Sequence, residues 1–433
     1  MKRVLVLFII LSTFIIITAQ NTPLTLEKCI EIALRESPDY ILADYQVKIS
    51  RTGILSSYNG ILPRISTDLN ATRSTQGPSE YVYNNIVFSR GDTTTYYYRT
   101  GLSLYQNIYD GGKWWYNIKL ARNLYLNSEI YREQIRQWII LNVTQKYYEV
   151  LKAQQMLYVY QSALKSSEEQ LKKSEELYKV KKVSQRDVYK AKVNLSNNKL
   201  NLLQQKTALE NAKMELNIAM GRDAYIPIEV VEKEYTPPVK FDEEKTIETV
   251  LANNIELKLL NIEKKTSEIQ YKINRANLFP SLYSTFSYSR GGSDFSKIYK
   301  PMDKWWNTSI GITLSWSIFD GFSRKANITK SYLEYKSYDE QIEKKKQDII
   351  KQIEILLNQL NTLLEMYNIS KISVKSAEED LRLAQEMYKL KSATLLEVLD
   401  AQASLIRANA TLISTMYDAK VIEARILYLM GKL

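Results

Sequence analysis

The sequence carries one long pattern twice, and most of the second copy follows the first at a constant offset of 210 residues. Asp110 and Gly111 recur in this way as Asp320 and Gly321. The other residues repeated at this offset include Tyr178, Lys179, Val188, Ala191, Leu195, Leu202, Met220 and Gly221. Upstream, Glu27, Lys28, Ile30 and Pro63 recur after 217 residues. A constant offset predicts rigid elements, whereas the change in length between the proline and the Asp-Gly pair predicts loops.

Glycine and proline are absent from two long segments, Lys113 to Met220 and Phe322 to Met430. Such segments are typical of long helices, but one unbroken helix of this length would reach ~160 Å. A break is predicted where Ser184 precedes Asp187 by three residues, and where Thr394 precedes Glu397 likewise, because both pairs have the form of a capping box. Each segment is therefore expected to form a long helix, from about Lys113 to Lys182 in the first copy, then a turn and a shorter returning helix.

The returning helices carry apolar residues every seven positions. The series are Val188, Leu195, Leu202, Leu209 and Leu216 in the first copy and Val398, Leu405, Leu412, Ala419 and Ile426 in the second, with a further seam through Ala191, Ala212, Ala401, Ala408, Ile422 and Leu429. A sustained seven-residue period predicts helices that supercoil against neighbours.

Between each proline and its Asp-Gly the pattern alternates instead. From Ser309 to Ile318 one side is apolar, with Ile310, Ile312, Leu314, Trp316 and Ile318, and the other is small and polar. About ten such residues suit a lipid-exposed strand of an outer-membrane barrel, although a soluble sheet buried on one face would show the same alternation. Weaker alternation follows Pro63 and Pro280 and precedes Asp110. Each copy thus predicts a hairpin, with polar loops at about Ser74 to Thr95 and Arg290 to Lys304.

Four strands cannot close a membrane barrel alone, since bacterial barrels have at least eight, so a barrel requires oligomerisation. The aromatic residues near the strand ends favour a membrane interface. They include Tyr105, Tyr109, Trp305, Trp306 and Trp316.

The first nineteen residues have the form of a secretory signal, with Lys2 and Arg3 before an apolar run. Cys29 is the only cysteine, so no internal disulfide can form. The chain has no histidine, which removes the commonest general base and metal ligand, and no phosphate loop or nucleophile elbow is present. These absences argue against an enzyme, a cofactor or a metal site. The net charge is +11, but Lys and Arg are dispersed among acids, which indicates a solvated helical surface and no nucleic-acid partner.

Taken in order, these features resemble the TolC-like outer membrane efflux proteins, the outer membrane factors. The local matches are Ser-Ile-Phe-Asp-Gly-Phe at Ser317 to Phe322 and Thr394 to Gln402. The expected division is a signal peptide at 1–19, a first repeat at 20–221, a linker at 222–242 and a second repeat at 243–433. The hairpins lie at about 63–110 and 280–320, and the helical turns at about 182–187 and 391–396.

The resemblance implies a mostly α fold with a small membrane β part: duplicated long helical hairpins forming an α-barrel of coiled coils, and four transmembrane strands per chain. A homotrimer would complete a 12-stranded barrel in the outer membrane, in contact with lipid, and extend into the periplasm. It also implies an exit duct of a tripartite efflux or type I secretion system. The partners would be a periplasmic adaptor (membrane fusion) protein and an inner-membrane pump of the RND, ABC or MFS type.

The resemblance further assigns roles at the periplasmic tip. Glu397 and Asp400 match acidic residues that ring the pore entrance, and Asp187 and Tyr388 match a latch between the two helical hairpins. Two positions depart from the family pattern, since Ala393 replaces an arginine that assists the latch and Lys391 replaces a small turn residue. Glu397 could equally be a capping-box acid.

Three other interpretations remain open at this point. A periplasmic adaptor would have one long hairpin with soluble β-domains, whereas this sequence predicts two hairpins. A periplasmic or surface coiled-coil interaction protein without a channel would have to bury the apolar side of Ser309 to Ile318. A hydrolase using Glu397 and Asp400 would need a substrate cleft, and helical spacing explains the two acids without one.

Overall fold

The computed structural model describes residues 23–231 and 235–433. The predicted signal peptide therefore lies outside the described residues. The helices are α1 Leu26–Glu36, α2 Pro38–Ser57, α3 Lys113–Lys179, α4 Gln185–Ala219, α5 Glu243–Asn253, α6 Ile255–Ala276, α7 Ser323–Lys389 and α8 Leu395–Leu429. The strands are β1 Arg64–Gln76, β2 Ser79–Tyr83, β3 Ile86–Arg90, β4 Thr93–Tyr109, β5 Ser281–Gly292 and β6 Trp306–Ser315.

The long helices repeat at the offset seen in the sequence. Both α3 and α7 have 67 residues, and both α4 and α8 have 35. In the part of the chain that the structure describes, no helix contains a stretch long and apolar enough to cross a membrane. The heptad residues face the helical core: Leu216 and Ile426 are fully buried, and Val188, Leu202 and Val398 nearly so. Hydrophobic burial along these seams holds each returning helix against its neighbours.

The long helices end in Schellman turns, which is why they stop before the predicted Lys182. In the first copy, the Lys182 amide donates to the Leu177 carbonyl (2.8 Å) and the Lys181 amide to Tyr178 (2.8 Å). Lys181 and Lys391 occupy the left-handed position at the two turns, with φ of 57° and 63°. Glycine is the usual residue there, so both lysines carry backbone strain.

The predicted capping boxes are confirmed at both turns. The Ser184 hydroxyl accepts a hydrogen bond from the Asp187 amide, and the Asp187 carboxylate accepts one from the Ser184 amide. Thr394 and Glu397 are bonded in the same reciprocal way. Side-chain caps thus start both returning helices without the help of glycine or proline.

The chain divides into two compact units. Of the described residues, the helical unit contains 23–40, 136–231, 235–247 and 352–433, and the sheet unit contains 41–135 and 248–351. In the helical unit the Leu24–Val230 bridge joins the start of the described chain to the linker. Burial raises the pKa of Cys29 there to about 12, so its thiol is protonated at neutral pH.

The sheet unit contains a four-stranded antiparallel sheet in the order β1-β4-β5-β6. The two strands of each copy are hairpin partners, and β4 pairs with β5 to join the copies. The strand predicted at Ser309 to Ile318 is displaced: β6 runs from Trp306 to Ser315, so Trp316 and Ile318 follow the strand. Its predicted alternation holds for Ile310, Ile312 and Leu314.

The predicted polar loop from Ser74 to Thr95 was wrong, because β2 and β3 form a second hairpin within it. Asn84 and Asn85 make its two-residue turn, with φ of 49° and 64°. Asparagine tolerates this left-handed conformation, which matches the twist of a tight hairpin. The Asn-Asn pair between apolar residues was the available sequence signal.

Within the sheet unit, the helices follow the same order as the strands to which they connect. Polar contacts join α2 to α3 (Arg132–Asp44, 2.9 Å), α3 to α6 (Asn123–Thr266, 2.8 Å) and α6 to α7 (Lys264–Asp339, 2.6 Å). The helix α2 leads into β1, and β6 leads into α7. The helices α2 and α7 are therefore the outer members of the helix row, just as β1 and β6 are the edge strands of the sheet.

Candidate functional site

The tips of the two helical hairpins pack on one another in the helical unit. Ala191, Tyr388, Leu395 and Val398 form a buried cluster in which both copies take part. Partly buried apolar residues of α3 and α7 surround it, including Leu171, Leu177, Leu381 and Ala384. The tips are thus joined by apolar packing, and the charged candidates lie around this cluster.

Tyr388 is 6% exposed, and no partner of its hydroxyl meets full hydrogen-bond geometry within the described residues. Burial raises the pKa of Tyr388; the Ser174 hydroxyl opposes this rise and the Asp187 carboxylate adds to it. The Asp187 carboxylate instead accepts hydrogen bonds from the Ser184 amide (3.1 Å) and hydroxyl (2.8 Å). Asp187 and Tyr388 therefore lie near one another without the predicted bond in this chain, and the latch stays a prediction.

Lys173 lies beside the same tyrosine, with its Nζ atom 5.9 Å from the centre of the Tyr388 ring. Burial, and then repulsion from Lys389, lower the pKa of Lys173. A cation at this distance over an aromatic ring is attracted to it. Sequence reasoning missed this contact, because Lys173 and Tyr388 are far apart in the chain.

The two acids predicted for the pore entrance differ in their partners. The Glu397 carboxylate accepts hydrogen bonds from the Thr394 hydroxyl (2.9 Å) and amide (3.3 Å), so its helix cap accounts for it. Asp400 is exposed, and its carboxylate makes no hydrogen bond or ion pair with another described residue. Its position is compatible with an entrance ring, which stays a prediction for both residues.

A polar bridge that sequence reasoning missed joins the two copies further from the tip. The Asn194 amide donates to the Gln402 side-chain carbonyl (3.3 Å), and the Gln402 amide donates to the Ala163 backbone carbonyl (3.1 Å). Gln402 is buried. A polar pair in an apolar coiled coil favours one alignment of the helices, because a shifted alignment would leave these groups unpaired. The signal was a glutamine beside the heptad seam.

The sheet has two chemically distinct faces. Directly paired residues on neighbouring strands point to the same side of a sheet. One row across the four strands is wholly apolar, and it consists of Ile65, Leu104, Phe286 and Ile310. The adjacent row, on the opposite face, is wholly serine, and it consists of Ser66, Ser103, Ser287 and Ser309. The sequence predicted this contrast for one strand, and the pairing extends it across all four.

At Ile310, Ile312 and β1, no described residue covers the apolar face. Ile310 is 77% exposed and Ile312 is 71% exposed, and Ile65 and Leu69 on β1 are also exposed. Side chains of this size on a soluble sheet would be buried against a second layer. The interpretation as a soluble sheet buried on one face therefore does not fit the described residues.

Both repeats of the chain match a known protein family. The model of the family described as "Outer membrane efflux protein" matches residues 29–222 and 246–432. Outer membrane protein TolC of Salmonella enteritidis is 24% identical over 366 residues, which cover 82% of this chain and 73% of that protein. The crystal structure of CusC superposes with a TM-score of 0.80 at 18% identity, covering 94% of this chain and 92% of that one. The Campylobacter jejuni CmeC outer membrane channel gives a TM-score of 0.78 at 18% identity, covering 94% and 85%.

The family match includes the greater part of both copies, so it accounts for the helical hairpins and the strands together. The structural matches extend over nearly the whole chain and carry the same mostly helical fold with a small sheet. Members of this family are channels of the outer membrane and not enzymes, and the interpretation as a hydrolase is set aside on that ground. The chain belongs to the TolC-like family of outer membrane efflux proteins.

Proposed function

We propose that three copies of this chain assemble into an export duct through the outer membrane, with twelve strands in one barrel and the helices continuing it through the periplasm. The single observation that carries this proposal is the sheet whose one face has an exposed apolar row and whose other face has a row of serines. In a closed barrel the apolar face meets lipid and the polar face lines a wet pore. All four strands have at least ten residues, which is enough to span the hydrocarbon core.

The edges of the sheet support an assembly of several copies. Within the described residues, β1 and β6 each pair on one side only. An unpaired strand edge is costly in lipid, because no water is there to bond its amides and carbonyls. Pairing of β1 with β6 of the next copy would remove both edges, and three copies of four strands exceed the minimum of eight. The matching helix order would bring α2 of one copy beside α7 of the next.

An export duct of this kind implies two protein partners. A passage that catalyses nothing and has no energy source of its own needs an inner-membrane pump, and a periplasmic adaptor would connect the two. We place the Glu397 and Asp400 carboxylates around the periplasmic entrance, where three copies would bring six carboxylates together. Crowded carboxylates raise one another's pKa or recruit cations.

The edge pairing can be tested by disulfide trapping. In a Cys29→Ala background, Thr67→Cys on β1 is combined in turn with a cysteine at Thr308, Ile310 or Ile312 on β6. We expect one combination to give a covalently closed species of three chains after oxidation, since a disulfide forms only between Cα atoms about 4.4–6.8 Å apart. The matched control replaces Thr67→Cys by Thr100→Cys, on the central strand β4. Combined with the same β6 cysteines, it should give no covalently closed species of three chains. Species of two chains or of one chain from every combination would contradict the trimer.

The duct itself is tested by single-channel recording of the purified protein in planar bilayers. Discrete openings of uniform size are expected from the species of three chains. Folded protein that inserts and never opens would contradict an export duct.

A further inference from the structure

The loop between β5 and β6 folds onto the apolar face of the sheet and not across its polar face. Arg290 pairs with Thr100 and Trp306, in a row that shares its face with Leu69. Its guanidinium lies under the loop, where it donates to the backbone carbonyls of Pro301 and Lys304. The loop therefore reaches back over the side of the sheet that Ile310 and Ile312 occupy.

Aromatic contacts fix the loop in this position. The Phe295 ring packs edge-on against Tyr98, on the same face, with centroids 5.5 Å apart. The stem of Lys297 crosses Gly292, where any Cβ atom would collide with it. The Lys297 Nζ atom lies 4.3 Å from the centre of the Trp305 ring and donates to the Ser293 hydroxyl (3.1 Å).

The loop and its base carry an excess of positive charge. Between residues 290 and 306 there are four cations and two acids, a balance of +2. The cations are Arg290, Lys297, Lys300 and Lys304, and the acids are Asp294 and Asp303. Asp294 is engaged in a turn, since its carboxylate accepts the Ser296 amide (2.7 Å).

Arg290 adds a charge that no carboxylate neutralises within the described residues. It is 3% exposed, its guanidinium contacts the Met302 sulfur and two backbone carbonyls but no carboxylate within the described residues, and its Nε–H group is unpaired there. A buried cation without a carboxylate keeps its field, because little water is present to screen it. The surface above it therefore favours an anion.

We propose that the loop Ser293 to Trp305 binds the phosphate groups of outer-leaflet lipid. This inference rests on the proposed function, which puts the apolar face in lipid and the loop at the end of the sheet remote from α2, α3, α6 and α7. At that end the loop stands at headgroup depth. Its exposed aromatics Phe295, Tyr299 and Trp305 suit the interface between hydrocarbon and headgroup, and its lysines suit phosphate.

The test measures how much diphosphoryl lipid A the purified protein retains from phosphatidylcholine nanodiscs doped with it, by native mass spectrometry. The triple variant Lys297→Gln, Lys300→Gln, Lys304→Gln should retain at least about tenfold less, since each cation near an anionic membrane surface contributes to binding. The matched control is Lys344→Gln, Lys351→Gln, Lys375→Gln, which removes the same charge from exposed positions of α7 and should leave retention unchanged. Equal retention by the loop variant and the wild type, or an equal loss in both variants, would overturn the proposal.

Two further measurements distinguish binding of lipid from binding of soluble anions, and a failure of the loop proposal from a failure of the proposed duct. Inorganic phosphate is added as a competitor, and displacement of lipid A by phosphate at millimolar concentration would assign the loop to soluble anions and overturn the lipid proposal. Channel openings are recorded from the same samples. A failed duct removes openings from every variant, whereas a failed loop proposal leaves openings intact and lipid retention equal.

Discussion

Large apolar side chains are buried in the seams of the helical hairpins but exposed on one face of the sheet. In the helical unit, the apolar residues of the heptad seams, such as Leu216 and Ile426, are 0% exposed, so the packed helices of the chain itself supply their apolar environment. In the sheet unit, Ile310 and Ile312 are more than two thirds exposed. The seams of the hairpins are therefore buried within the chain, whereas the apolar residues of β6 need an apolar surrounding that the described residues do not provide.

Truncation of a hairpin core residue should have the largest effect. Leu216→Ala is expected to lower the free energy of unfolding by about 2–5 kcal/mol, because it leaves a cavity at a fully buried site. Ile218→Ala is the matched control two residues away, where the side chain is 64% exposed, and should change stability by no more than about 0.5 kcal/mol. Denaturant unfolding of the purified protein measures the stability of both variants. Equal losses of stability would contradict the distinction between the buried and the exposed position.

A charge on the apolar face of the sheet should have the next largest effect. Ile312→Lys is expected to destabilise the folded protein in bilayers by about 2–4 kcal/mol, the cost of lysine on the lipid side of a barrel. Thr313→Lys adds the same charge on the opposite face of β6 and should be tolerated. Insertion into lipid vesicles is compared for the two variants. If Thr313→Lys were the more damaging, the assignment of the two faces would be reversed.

Loss of a helix cap should lower the free energy of unfolding by less than either of these changes. Ser184→Ala and Thr394→Ala are each expected to lower stability by about 1 kcal/mol, since each leaves an amide at the start of a returning helix without its partner. Ser196→Ala, at an exposed position inside α4, is the control and should have little effect. Helix content and unfolding midpoints provide the measurement, and costs equal to the control would show that the caps do not hold the tips.

Relief of the backbone strain at Lys391 should stabilise the folded protein slightly. Lys391→Gly is expected to raise stability by up to about 1 kcal/mol, because glycine adopts the left-handed conformation without a Cβ clash. Lys389→Gly, at the last residue of the helix, is the opposite control and should destabilise. A loss of stability in Lys391→Gly would mean that the lysine side chain itself contributes to the turn.

Asp400→Ala should have the smallest effect on folding, within about 0.5 kcal/mol, since the carboxylate has no partner among the described residues. Its effect should appear instead in single-channel recordings as a loss of block by divalent cations. Asp380→Ala, at an exposed acid of α7, serves as the control. Block that persists in Asp400→Ala would place the entrance elsewhere and would leave the hairpins without an identified electrostatic function.

Much of this architecture could be predicted from local patterns. The capping boxes at Ser184 and Thr394, the heptad seams and the alternation around Ile312 each depend on residues close together in the chain. The hidden hairpin of β2 and β3 and the displaced end of β6 were missed, because pairing partners and strand ends depend on neighbours that a single strand does not specify. The burial of Tyr388 and its contact with Lys173 likewise depend on packing between distant helices.

The sequence by itself determined the duplication, the two long hairpins and the chemistry of the strand faces, because helix propensity, capping and periodicity act within a few residues. Only the tertiary structure decided that the apolar and serine rows each continue across four strands, that β1 and β6 are unpaired edges, and that a basic loop lies on the apolar face. Those facts depend on strand order and register, which are set by contacts between residues as far apart as Ile65 and Ile310.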